Sequence, residues 1–174
     1  STDGRMLLYR DQDPRTNSDL WVLPIARPRT PKAVLNTAFE EREGRFSPDG
    51  RWIAYVSSEP GSLQVLVQAF PRPGPNWQVS TDGGHQPRWR GDGKELFFLS
   101  ETRDVMAVSV TPGSSTFTAG PPQRLFATTA ASFAERNSWD AAPDGQRFLV
   151  NSVPIQRAPI TVVVNWLHGL DTPA

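Results

Sequence analysis

Asp11, Asp13, Asn17 and Asp19 place oxygen ligands at alternating positions, the arrangement that can hold a calcium ion. A calcium loop of the EF-hand kind needs Asp or Asn at its fifth place, Gly at its sixth and Glu at its twelfth, where this chain has Arg15, Thr16 and Val22. The segment therefore reads as a polar turn in which side chains bond to nearby backbone, and no metal site or cofactor is expected. His85 and His168 are isolated in sequence from other ligand types. His168 reads as solvated, and His85 follows Gly83-Gly84 at the entrance to an extended segment. A Gly-x-Ser-x-Gly nucleophile turn, a dinucleotide or Walker glycine loop and a kinase catalytic loop are all missing from the sequence, so the expectation is a non-catalytic chain. There is no cysteine, which removes thiolate chemistry and disulfides.

The elements that position these residues come from a repeat. Asp3-Gly4, Asp49-Gly50, Asp92-Gly93 and Asp144-Gly145 are each followed by a polar residue, and the third, fourth and fifth residues after the glycine are apolar in all four. These intervals of 46, 43 and 52 residues match the length of a four-stranded propeller blade. Asp-Gly between apolar runs predicts a two-residue hairpin turn with both residues at positive φ. Extended segments precede the last three turns: 44–47, 86–89 and 138–141. A third strand follows in every unit, at 20–23, 65–67, 105–108 and 160–164. A weaker fourth closes three of them, at 33–35, 77–79 and 124–126. The apolar runs lack strict polar alternation, as strands covered on both faces do.

The reading is an all-β chain of about four antiparallel blade units, near 1–38, 39–81, 82–129 and 130–170. The first unit lacks its first strand and the last lacks its fourth. Three accounts fit the cut edges: part of a larger ring, a half-propeller that dimerises with a second copy to close one, or a four-bladed ring that closes alone.

The repeat also gathers candidate contact residues. The runs Glu40-Glu41-Arg42-Glu43, Gly84-His85-Gln86 and Glu135-Arg136-Asn137 are equivalent connections into the first strands and should share one face. Arg42, His85 and Arg136 are the expected partner-binding residues, since Arg is enriched where interfaces concentrate their energy. Most aromatic residues read as core between blades, Trp21, Trp52, Phe97, Phe98, Phe148 and Trp166 among them. Trp77 follows the stiff segment Pro71-Arg72-Pro73-Gly74-Pro75-Asn76 and is divided between packing and a contact surface.

Phe46-Ser47-Pro48-Asp49-Gly50-Arg51-Trp52-Ile53-Ala54-Tyr55 resembles the TolB-type propeller repeat, the WD40-like PD40 repeat. Thr81-Asp82-Gly83-Gly84-His85-Gln86-Pro87-Arg88-Trp89 with Gly91-Asp92-Gly93 is similar to it too. The third unit departs from it with Arg90-Gly91 in place of Ser-Pro, and the fourth has Ala141-Ala142-Pro143 with its aromatic moved to Trp139. The chain also resembles propeller segments at the C-terminal end of large bacterial sensor, kinase or regulator proteins. The resemblance implies a TolB-like β-propeller acting as a protein-interaction or sensor module, and favours an extracytoplasmic, periplasmic setting. It leaves two alternatives. One is an accessory propeller gating a prolyl oligopeptidase-like hydrolase, whose triad sits in a separate α/β domain. The other is a periplasmic binder of glycan or peptidoglycan.

Eighteen Lys and Arg balance 18 Asp and Glu over 174 residues, so no general attraction to nucleic acid or anionic lipid is expected. The longest uncharged apolar stretch, 158–170, is 13 residues, short of the roughly 20 that cross a bilayer as a helix. The sequence shows no signal peptide pattern at its start, and a protein partner is the expected ligand.

Overall fold

The computed structural model describes residues 1–113, 116–130 and 137–152. Every helix or strand among them is a β-strand, and all pairing is antiparallel. The first sheet runs β1 (Met6–Asp13), β2 (Asn17–Pro24), β3 (Lys32–Leu35) in spatial order. The second runs β4 (Glu41–Phe46), β5 (Trp52–Ser57), β6 (Gln64–Ala69), β7 (Asn76–Gln78). The third places β8 (His85–Trp89), β9 (Glu95–Leu99) and β10 (Asp104–Pro112) side by side. A fourth sheet pairs β13 (Trp139–Ala141) with β14 (Phe148–Val150). The expected third strand at 160–164, together with Trp166 and His168, lies outside the described residues.

The edge of the third sheet differs from the expected single strand. β11 (Phe117–Ala119) pairs with the end of β10, and β12 (Gln123–Ala127) pairs with its beginning. Gly120-Pro121-Pro122 separates the two pieces, because neither proline can donate to the ladder.

The middle strands explain why the apolar runs show no polar alternation. All six residues of β5 are buried. Trp52, Ala54 and Val56 enter one apolar cluster with Leu96 and Phe98 of β9, between the second and third sheets. Ile53 and Tyr55 enter another with Leu8 and Leu20, between the first and second. Phe97 and Leu99 point the opposite way from Leu96 and Phe98, into a third cluster with Trp139 and Phe148. Period-two alternation therefore sends successive side chains into two apolar seams. Burying a large apolar side chain is worth roughly 1.5–3 kcal/mol, and these seams hold the sheets in a stack. Trp77 belongs to the packing, with its ring 5.5 Å from Trp52 and 6.1 Å from Phe117.

The Asp-Gly turns correct the two-residue expectation. Only the glycines sit at positive φ: Gly4, Gly50, Gly93 and Gly145, at 69°, 70°, 71° and 70°. The turn in the second unit is closed by Gly50 N–H to Ser47 O, 2.9 Å, and by Ser47 N–H to Trp52 O, 2.8 Å. Its equivalents in the third and fourth units have Gly93 donating to Arg90 and Gly145 to Ala142, both at 2.9 Å. The aspartate keeps ordinary backbone geometry and instead accepts the N–H two residues on. Those N–H groups belong to Arg5, Arg51, Lys94 and Gln146, at 2.9–3.1 Å. An Asx turn followed by a left-handed glycine serves where two left-handed residues were expected.

Candidate binding site on the first strands

The first strands of the second, third and fourth sheets lie side by side, β4 against β8 and β8 against β13. β4 and β8 each carry a bulge. Glu43 and Gly44 together oppose Tyr55, and Gln86 and Pro87 together oppose Phe98. Glu43 and Gln86 take positive φ there, 59° and 51°, which turns their side chains out of the ladder. Each is six residues before its turn aspartate, and so is Ser138. These three positions form a relay across the sheets. Gln86 N–H donates to Glu43 Oε2 at 2.6 Å, and Ser138 N–H donates to Gln86 Oε1 at 2.8 Å. Gln86 and Ser138 are buried, so these bonds satisfy amides that would otherwise be orphaned away from water.

Two places further along, the relay gives way to charge. Arg45, Arg88 and Asp140 occupy one repeat position, four before the turn aspartate. Arg88 is 7% exposed. Its Nε donates to Asp140 Oδ1 at 3.0 Å, its Nη1 to Pro87 O at 2.9 Å, and its Nη2 to Trp139 O and Asn137 Oδ1 at 3.0 Å each. Its guanidinium lies 5.7 Å from the centre of the Trp139 ring, a cation–π distance. Burial, reinforced by the like charge of Arg45, pulls its pKa down to about 10, so it stays cationic at neutral pH. Arg45 Nη2 donates to the same Asn137 Oδ1 at 2.9 Å. Arg45, Arg88, Trp89, Asn137, Asp140 and Leu149 line an open cleft of about 640 Å³.

Of the residues expected from sequence, Arg42 lies within β4 and not in a preceding loop. It pairs with Glu40 at 2.9 Å and approaches Glu43 at 4.0 Å. With Arg45 and Asn137 it lines an adjoining cleft of about 230 Å³. His85 begins β8, is 3% exposed, and its Nε2 lies 2.8 Å from Glu101 Oε1. Arg136 lies outside the described residues. The repeat position shared by Arg42 and His85 falls on Asn137 in the fourth unit, next to Arg136. Arg45, Arg88 and Asp140 are not among the residues expected from sequence. They are polar residues recurring at one repeat position in strands otherwise counted as core, a signal that aligning the units on their aspartates exposes.

In the polar turn at the end of β1, Asp13 Oδ1 accepts the Arg15 N–H at 2.8 Å. Among the described residues no three His, Cys, Asp or Glu side chains are grouped to hold a metal. No helix there is long and apolar enough to cross a membrane.

No family model and no curated protein matches the chain. Solved structures do. TolB from Acinetobacter baumannii aligns at 18% identity with a TM-score of 0.57, over 85% of this chain and 36% of that one. A protein assigned as TolB from Agrobacterium tumefaciens aligns at 18% and 0.55, over 68% and 46%. One assigned as a 6-phosphogluconolactonase from Bacteroides uniformis aligns at 17% and 0.55, over 86% and 45%. The chain thus spans less than half the length of each. At these identities the likeness is one of fold, and the stacked sheets described here are a segment of a TolB-like β-propeller.

Proposed function

We propose that this chain is a non-catalytic propeller module that binds a protein or peptide partner at the cleft formed by its first strands. The observation that carries the reading is the convergence of Arg45, Arg88, Asn137 and Asp140 on one cleft beside Trp89 and Leu149. Leu149 is 76% exposed. Charged forks beside exposed apolar surface are what a peptide surface meets well. Arg88 is held by hydrogen bonds to Asp140 and to the Pro87 and Trp139 carbonyls, which preorganises it for recognition.

A displayed random peptide library panned against the immobilised chain tests the reading. Recovered peptides should bind saturably and lose binding to a Leu149→Arg chain that still melts cooperatively. Sustained turnover of lactone, ester or peptide substrates by the purified chain, abolished by substitution within the cleft, would contradict it.

A further inference from the structure

We propose that Arg45 and Arg88 form a slot for a carboxylate of the peptide ligand, occupied by the Asn137 side chain until such a group arrives. The inference deepens the reading above and rests on it. Two guanidinium groups converge on a single neutral oxygen, Asn137 Oδ1, at 2.9 Å and 3.0 Å. A carboxylate brings to that point two oxygens and a negative charge, matching the fork geometry of arginine in a way a carboxamide cannot.

The two arginines differ in how they are held, and both differences suit the role. Arg88 is fixed by Asp140, Pro87 O and Trp139 O, so it is a preorganised wall. Arg45 is half-buried and makes no ion pair among the described residues; beyond Asn137 it reaches the Gly44 carbonyl at 3.4 Å. Its remaining donors meet no partner among the described residues. Asn137 is exposed, so its side chain can leave without opening the core. The charged groups lining this cleft are Arg45, Arg88 and Asp140, and the Glu43 carboxylate beside Arg45 in the adjoining cleft also acts on Arg88. Trp89 and Leu149 on the same cleft supply apolar surface beside the slot. A carboxylate flanked by an apolar group, as at a peptide C-terminus ending in a large apolar residue, meets both features. A phosphate has no apolar part to meet Trp89 and Leu149.

The test compares N-acetyl-phenylalanine with its primary amide and with inorganic phosphate, read by NMR on the ¹⁵N-labelled chain. The carboxylate should shift the Nε–H signals of Arg45 and Arg88 and the side-chain amide of Asn137 saturably. It should bind at least about tenfold more tightly than the amide, the scale of a charged hydrogen bond against a neutral one. Arg45→Gln should remove that preference while leaving backbone signals outside the cleft unchanged. Equal binding of the amide, tighter binding of phosphate, insensitivity to Arg45→Gln or an absence of shifts at these groups would each overturn the proposal. Panned peptides that bind Arg45→Gln as well as the parent chain would leave the module reading standing and remove the slot.

Discussion

Glu43 holds the backbone N–H of Gln86 at 2.6 Å across 43 residues of sequence, and Gln86 in turn holds that of Ser138 at 2.8 Å. The same repeat position thus acts as donor toward one sheet and acceptor toward the next. The link is specific to register: a shift of either strand by one residue would break it.

Replacing Gln86 by Ala should leave the buried Ser138 amide without its acceptor. The expected cost is about 1–3 kcal/mol. Chemical denaturation of Gln86→Ala, set against an exposed control such as Gln146→Ala, measures it. Equal midpoints for the two variants would show that the relay contributes nothing.

Gly50 separates backbone strain from packing, because a Cβ there would meet no atom within 4 Å while φ is +70°. Gly50→Val should therefore destabilise by about 1–2 kcal/mol or more through conformation alone, and Gly50→Asn by less. Asp49→Ala should also destabilise, through loss of its bonds to Ser47 Oγ and Arg51 N–H. A melting temperature unchanged by Gly50→Val would contradict the turn geometry.

Gly44 answers to packing instead. A Cβ at this position would lie 2.8 Å from Leu8 Cδ2 and 3.0 Å from Leu20 Cδ1, so the leucine side chains between the first and second sheets must shift to admit it. Gly44→Ala should cost about 1–3 kcal/mol and speed hydrogen exchange in β1 and β2 more than in β9. Uniform exchange rates across the sheets would argue against this seam being tight.

Glu41 sets a pH dependence. It is 2% exposed, and burial, aided by the nearby charge of Asp19, raises its pKa above the ordinary 4.5 despite a hydrogen bond from Thr37. The folded state thus favours the protonated form, so its contribution is full below the unfolded pKa and is lost as pH rises through the folded one. Glu41→Gln, which keeps an acceptor for Thr37, should melt a few degrees above the parent chain at neutral pH, and the gap should close below pH 4.5. A gap independent of pH would remove burial of the charge as its cause.

What could be read from sequence divides along physical lines. The middle strands were visible because Asp, Gly and an apolar run are contiguous, and the turn they make is decided locally. The detail of that turn was misread, since Asp-Gly serves both a left-handed pair and an Asx turn ending in glycine. The split edge at Gly120-Pro121-Pro122 was available in the prolines but hidden by the weakness of the flanking strands. The relay was out of reach, because Glu43, Gln86 and Ser138 share a position but not a residue type. Glu43 and Gln86 are alike in the bulge that turns them, which strand pairing creates. Arg45 and Arg88 lie between these cases, visible once the units are aligned on their aspartates and not from the connecting segments.

The most direct test of the account is the footprint of a panned peptide on the ¹⁵N-labelled chain. The account predicts shifted amides concentrated at residues 42–46, 86–89 and 137–141, the first strands of three successive sheets. Shifts confined to the outer strands β3, β7 and β12, with those three segments unmoved, would contradict it.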